Sequence, residues 1–165
     1  LAGSKTLLLD TRKTTPGWRA LEKYAVRLGG GHNHRRGLYD MILVKDTHID
    51  ASLFFRDAVR RAVEYRNSRY PDMKVEIEVS SIEQVREILT ENVDIIMLDN
   101  MSDEETEKAV QIIKDTFRTE ASGNIGPDRL STLARVGVDA VSMGALTHKA
   151  ISLDVSMKIA GDESR

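Results

Sequence analysis

Six short runs of β-forming apolar residues recur along this chain, roughly every 27 residues, each followed by a polar cluster and a helix-like stretch. They are Thr6–Asp10, Met41–Lys45, Lys74–Val79, Asp94–Leu98, Thr116–Ala121 and Val138–Met143. Antiparallel partners need only tight turns, whereas parallel partners need a crossover long enough for a helix, so this spacing predicts a parallel α/β fold. The helix-like stretches carry start and stop signals. Asp50 is placed to cap a helix whose Phe54, Phe55, Ala58, Val59, Ala62 and Val63 share one face. Ser80-x-x-Glu83 and Ser102-x-x-Glu105 read as capping boxes. Pro127 opens a further helix with Leu130, Leu133 and Ala134 on its apolar face, and Gly137 closes it. The six units use the whole chain, with no linker, longer repeat or low-complexity segment.

Two architectures satisfy that alternation: an open doubly wound sheet and a closed or nearly closed barrel. No glycine-rich dinucleotide fingerprint follows the first strand, which weakens the first. At 165 residues the chain is short for a complete eightfold barrel of about 250. Each run nevertheless ends in polar chemistry: Asp10-Thr-Arg-Lys13, Lys45-Asp46, Asp99-Asn100, Ser122-Gly-Asn124 and Ser142-Met-Gly144. Both architectures place ligands at the carboxyl ends of parallel strands, so a site there is expected either way.

Charge narrows the ligand. The net charge of −2 argues against general nucleic-acid binding, but residues 1–45 hold nine Lys/Arg against three Asp/Glu. That cationic part points to an anionic small molecule. No apolar run is long enough to span a membrane. With no cysteine there is no thiol nucleophile, disulfide or thiolate zinc site, and a reducing, cytoplasmic setting is expected.

Thr11, Arg12, Lys13, Thr14 and Thr15 set two cations and three hydroxyls beside a strand end, suited to carboxylate or phosphate, though a solvated loop has the same composition. In Gly29-Gly-Gly-His-Asn-His-Arg-Arg-Gly37, His34 and Arg35 offer cationic donors; His32 and His34 lack the carboxylate or cysteine that would complete a metal site. Lys45 closes a buried strand and needs a counter-anion from protein or ligand. In Val75-Glu-Ile-Glu-Val79, period-two alternation puts Glu76 and Glu78 on one face. If the valines meet the helices, both glutamates point inward and must be neutralised by Lys45, by Arg118, by a metal or by a cationic transition state. Asp99 is placed at the rim, suited to Mg²⁺ or ribose hydroxyls. The glycine turns Ala121-Ser-Gly-Asn124 and Ser142-Met-Gly-Ala-Leu-Thr-His148 follow the last strands, where barrel folds often bind phosphate.

Together these motifs carry a resemblance. Asp10-Thr-Arg-Lys-Thr-Thr-Pro-Gly17, Gly29-Gly-Gly-His-Asn-His-Arg35, Leu43-Val-Lys-Asp46, Val75-Glu-Ile-Glu-Val79, Ile96-Met-Leu-Asp-Asn-Met101, Glu120-Ala-Ser-Gly-Asn-Ile125 and Gly144-Ala-Leu-Thr-His148 fall in the order found in the carboxylating nicotinate-nucleotide pyrophosphorylases, or quinolinate phosphoribosyltransferases. The chain resembles their C-terminal domain along nearly its whole length. The resemblance implies an incomplete six-stranded parallel β/α barrel that transfers phosphoribose from phosphoribosyl pyrophosphate (PRPP) to quinolinate. Decarboxylation then gives nicotinate mononucleotide, pyrophosphate and CO₂ on the way to NAD. It implies Mg²⁺ as cofactor, and a homodimer or higher oligomer with sites completed by a partner subunit.

Carried over residue by residue, Lys45, Glu78 and Asp99 would be catalytic, and Glu78 and Asp99 would face the ribose and its Mg²⁺. Thr11, Arg12, Lys13, His34, Arg35 and Lys45 would bind the quinolinate carboxylates and the diphosphate. Ser122, Gly123, Asn124, Gly144 and Ala145 would line the 5′-phosphate pocket, with His148 beside them. Thr47 departs from the family, which usually has Asn there. The family's N-terminal α/β domain, which covers the barrel mouth, does not precede this barrel in residues 1–165. The competing expectations are a ligand-binding barrel without turnover, a relative associated with molybdate transport, and a fragment inactive without the other domain.

Overall fold

The computed structural model describes residues 3–52 and 54–159. Six strands form one all-parallel sheet: β1 (Leu7–Leu9), β2 (Ile42–Val44), β3 (Val75–Val79), β4 (Ile95–Asp99), β5 (Arg118–Ser122) and β6 (Ala140–Ser142). Each falls on one of the six expected runs, several trimmed at their ends. Their order is β1-β6-β5-β4-β3-β2, so the first strand lies beside the last and no strand order reverses. A sheet ordered this way wraps on itself, which decides for the barrel. It stays open between β1 and β2, which do not pair.

The chain plugs that opening with an irregular segment. The His32 amide donates to Leu8 O at 2.8 Å and the Asp10 amide to His32 O at 3.1 Å, giving β1 a one-residue parallel partner. Such a partner satisfies part of an otherwise bare strand edge.

Alternation along the strands sets inside against outside. Val75, Ile77 and Val79 of β3 and Ile96 and Leu98 of β4 are buried against the helix layer. Ala58, Val59 and Val63 of α3 (Phe55–Arg69) meet them, with Val85 and Ile88 of α4 (Ile82–Ile88) and Ala109 and Ile113 of α5 (Asp103–Ile113). A second cluster joins Ala121, Val138 and Val141 to Leu133 of α6 (Pro127–Val136).

Helix boundaries confirm some sequence signals and correct others. Pro127 occupies the first turn of α6, and Gly137 ends it in the left-handed conformation at φ 90°. The Ser102 box is present: Ser102 Oγ accepts the Glu105 amide at 3.2 Å, and Glu105 Oε2 accepts the Ser102 amide at 2.8 Å. Ser102→Ala is expected to cost about 1 kcal/mol, read as a lower midpoint in urea at unchanged slope. The other box sits one residue on: Ser81 caps α4 by accepting the Gln84 amide, and Gln84 rather than Glu83 reaches back, to the Ser80 amide. Asp50 does not cap α3. It ends a separate short helix, α2 (Asp46–Asp50), because His48 Nδ1 caps the Lys45 amide and starts a turn directly after β2. Phe54 takes the cap position of α3 and is exposed, so that helix buries a narrower face than expected.

Helix α1 (Arg19–Leu28) inverts the usual arrangement. Lys23 is its one buried residue, while Trp18, just before it, and Leu21, Tyr24 and Leu28 are exposed. Beyond the short helix α7 (Ala145–His148), residues 151–159 form neither helix nor strand, and Ile151, Leu153, Val155, Met157 and Ile159 are exposed at alternate positions. No helix among the described residues is long and apolar enough to cross a membrane.

Candidate active site

A cavity of about 660 Å³ opens at the carboxyl ends of the strands. Its wall includes all fourteen residues singled out from the sequence: Thr11, Arg12, Lys13, His34, Arg35, Lys45, Glu78, Asp99, Ser122, Gly123, Asn124, Gly144, Ala145 and His148. They come from every strand end and from the segment that plugs the barrel. The wall carries five Lys/Arg side chains (Arg12, Lys13, Arg35, Lys45, Lys149) against three carboxylates (Asp46, Glu78, Asp99), so the cavity is cationic in a chain of net charge −2.

Most of that positive charge has no protein counter-ion. Among the described residues, Lys45 pairs with Glu78, whereas Arg12, Lys13 and Arg35 form no salt bridge. Arg12 Nε is buried without a hydrogen-bond partner. Burial and the neighbouring Arg12 charge both hold the Arg35 guanidinium below its ordinary pKa. A buried donor left unpaired costs free energy, and two adjacent guanidinium groups repel; an anion between them relieves both.

The loop that carries these groups is pinned from beneath. Asp10 is fully buried and accepts from Lys23 Nζ, from Asn33 Nδ2 at 2.5 Å and from the His34 amide at 2.9 Å. Lys23 Nζ also donates to His34 O at 2.9 Å. Asp10 is therefore an anchor beneath the site, outside the cavity wall, and Lys23 explains why α1 buries a lysine.

On the opposite wall, Lys45 Nζ lies 2.6 Å from Glu78 Oε2. Lys45 thus has the counter-anion its position demanded. Arg118 does not contribute to it, since it starts β5 at the far, N-terminal end of the barrel and is exposed. Asp99 accepts from Ser122 Oγ and from Asn100 Nδ2, the latter at 2.7 Å, which fixes its carboxylate at the cavity rim. Glu78 and Asp99 offer hard oxygen donors facing open space. That suits Mg²⁺, which binds through one or two carboxylates and completes its shell with water and phosphate oxygens.

The glycine turns form the third side. Gly123 has φ 85° and Asn124 φ 49°, and Asn124 Nδ2 donates to Asn100 Oδ1 at 3.1 Å. A Cβ at Gly123 would lie 2.8 Å from the Asn100 amide nitrogen and would hold an L residue in the left-handed region. Gly123→Ala is expected to cost about 1–3 kcal/mol, checked by chemical denaturation. The N-terminus of the ten-residue helix α6 reaches the same wall through Gly126 and Pro127.

Below the cavity lies a layer the sequence reading only half anticipated. Glu76 points inward as expected, and Glu120 of β5 meets it; both are buried. Between them stands His34, its Nε2 at 3.1 Å from Glu76 Oε2 and 3.4 Å from Glu120 Oε1. The ring is aimed between the two carboxylates and along neither. Both Glu76 oxygens and Glu120 Oε1 therefore lack a well-aligned partner. Burial alone would lower the His34 pKa, but Glu120 and Glu76 outweigh it and raise it, which favours a proton on the Nε2 edge that faces them. The backbone opposes a second ring proton, because Nδ1 already accepts the Arg35 amide at 2.7 Å. The shared proton is best accommodated between Nε2 and the carboxylates, where burial also raises the Glu76 pKa.

The three donor atoms lie within 4.8 Å of one another. With the proton on Nε2, however, the ring presents no lone pair to a cation there, so this cluster is not a ready metal centre. His32, by contrast, is exposed on the plugging segment. Glu120 was missed, although Arg118-Thr-Glu-Ala-Ser122 carries the same period-two signal that exposed Glu76. Asp46 and Asn100, read from the sequence only as polar strand ends, and Lys149, which was not anticipated, also line the cavity.

The fold and site define a β/α barrel with a cationic mouth, and comparison with known proteins places it. The family model for the quinolinate phosphoribosyl transferase C-terminal domain matches residues 1–158. The chain is 40% identical to the chloroplastic nicotinate-nucleotide pyrophosphorylase (carboxylating) of Arabidopsis thaliana, over 96% of this chain and 50% of that protein. It is 42% identical to the Mycobacterium leprae nicotinate-nucleotide pyrophosphorylase (carboxylating), over 95% of this chain and 55% of that one. NadC from Streptococcus pyogenes superposes with a TM-score of 0.84 at 46% identity, covering 96% of this chain and 54% of its own. The chain belongs to the quinolinate phosphoribosyl transferase family, as its C-terminal domain, and spans about half the length of the relatives it matches.

Proposed function

We propose that this barrel supplies the catalytic cavity for transfer of phosphoribose from PRPP to quinolinate, with loss of CO₂, yielding nicotinate mononucleotide and pyrophosphate. The observation that carries the reading is the group Arg12, Lys13 and Arg35 on one cavity wall, with both arginines partly buried and none of the three paired with a carboxylate among the described residues. Two carboxylates on one ring and a diphosphate are ligands with the charge to satisfy it. Arg12, Lys13 and Arg35 hold quinolinate with its ring nitrogen toward the ribose, and the face of the His34 ring, whose two nitrogens are both engaged by protein groups, packs beside it. Ser122, Gly123, Asn124, Gly144 and Ala145 receive the 5′-phosphate, with His148 at the edge, and Thr11 and Lys45 reach the diphosphate side.

As the bond from ribose C1 to the diphosphate oxygen breaks, positive charge grows on the sugar. Glu78 and Asp99 face it and lower its energy. The quinolinate nitrogen then bonds to C1 and becomes cationic. The electron pair of the breaking ring–carboxylate bond is stabilised by that charge, and as CO₂ leaves it takes a proton from water. Mg²⁺, held through Glu78 and Asp99, would neutralise charge on the departing diphosphate. No covalent enzyme intermediate is required: the residues act by position and charge.

A second copy of the family's fold contributes to this reading, with a homodimer or larger assembly closing the cavity mouth. The test is to incubate the chain with quinolinate, PRPP and Mg²⁺, alone and with the remaining half of a relative supplied, and to follow nicotinate mononucleotide. Product in the complemented mixture is expected. Tight binding of quinolinate and PRPP with no product under either condition would favour the non-catalytic ligand-binding barrel.

A further inference from the structure

We infer that Glu76 and Glu120 are positioning residues: they hold the His34 ring in one tautomer and one orientation, and reach the substrate only through it. The inference rests on the reading above for the identity of the ligand. His34 lines the cavity, whereas neither glutamate does.

His34 lies on the irregular segment that plugs the open barrel. Asp10, Asn33 and Lys23 fix its backbone, but none of them touches its ring. The ring is held at its two edges instead. Nδ1 accepts the Arg35 amide, and Nε2 faces Glu76 and Glu120. Those two acceptors belong to β3 and β5, which both pair with β4. The plugging loop is thereby registered against the rigid far wall of the barrel, across the gap that two further strands would fill.

Interior layers of such barrels normally hold branched apolar side chains. Here two buried carboxylates share one imidazole, and the charged groups near them among the described residues include the Arg35 guanidinium, which feels the Glu76 charge, and the Lys45–Glu78 pair one step up β2 and β3. Unsatisfied buried carboxylate oxygens are costly, and replacing them by apolar residues would favour the fold. A costly layer placed directly under a ligand-contacting histidine is the arrangement expected when ring position matters more than stability. Arg35 follows His34 and donates its amide to the same ring, while its guanidinium bonds Met41 O at 3.1 Å, so a displaced imidazole would loosen the backbone that carries the guanidinium.

What this role needs from each glutamate is an acceptor, not a charge. The experiment uses the chain labelled with ¹⁵N, reading the His34 ring nitrogens by their correlation to ring protons, together with calorimetric titration by quinolinate and a thermal melt. The expected wild-type signature is a single tautomer with the proton on Nε2. Glu76→Gln and Glu120→Gln keep an oxygen acceptor and should preserve both that signature and the affinity. The double variant Glu76→Ala/Glu120→Ala should lose the single tautomer and bind quinolinate at least about tenfold more weakly, the equivalent of 1.4 kcal/mol, without a lower melting temperature.

A double alanine variant that retains tautomer and affinity overturns the inference. So do glutamine variants that behave like the alanines while melting normally, since charge would then be the requirement. If the tautomer responds as expected but wild-type chain takes up no quinolinate, the positioning role stands and the ligand assignment falls.

Discussion

Arg12→Ala is expected to weaken quinolinate binding by between one and nearly four decades, the equivalent of about 2–5 kcal/mol for truncating one partner of a buried charge pair. The size follows from the free cavity. Arg12 Nε is already buried and unpartnered, so its desolvation is spent in folding and the whole gain from pairing appears on binding. Arg35 sits beside it with its pKa held down by burial and by Arg12, and an anion between the two relieves that repulsion as well. Arg12→Lys keeps the charge but loses the planar fork, so an intermediate loss is expected. Calorimetry with quinolinate measures both variants, and high salt should narrow the gap between them. Unchanged affinity in Arg12→Ala would remove this residue from the binding surface.

The second large effect concerns stability. Asp10→Ala leaves Lys23 with a buried ammonium and removes the acceptor of Asn33 and the His34 amide. Breaking a buried pair from one side costs about 3–5 kcal/mol, because the remaining charge has no compensation. Urea denaturation should show that loss at a nearly unchanged slope. Replacing both partners, as Asp10→Leu with Lys23→Met, should recover much of it, since two apolar side chains need no partner. The double variant tests a second point. If Asp10 is an anchor for the His34–Arg35 loop, quinolinate binding stays impaired even where stability returns. Full recovery of both would make the pair a matter of stability alone.

These two residues mark how far the sequence was readable. Arg12 was visible because it stands in a run of cations and hydroxyls next to a strand end, and local composition is enough to suggest an anion. Asp10 stands two positions earlier and looked like part of the same cluster. It lies beneath the site because its partner, Lys23, is a turn and a half into a helix whose other side is exposed, and helical periodicity gave no reason to bury a lysine there. Glu76 and Glu120 show the same boundary. Alternation assigned Glu76 to the inner face, and the same pattern in β5 would have assigned Glu120. That the two converge on one histidine from a glycine-rich loop depends on sheet curvature, which no single strand encodes. Capping shows it on a smaller scale. The Ser102 box was legible, whereas Ser80 and Ser81 are interchangeable in sequence, and the direction of the entering strand chose Ser81.

By itself, the sequence determined the six strands, their parallel sense, the polar strand ends and the cationic first quarter, because side-chain alternation, crossover length and charge are local properties of the chain. Only the tertiary structure decided that the sheet wraps with β1 beside β6, that fourteen residues spread from Thr11 to His148 share one cavity, and that a loop histidine fills the gap in the wall. Those outcomes depend on strand twist accumulated over the whole sheet and on which buried polar groups can satisfy one another across it, and both are sums over contacts between residues far apart in the chain.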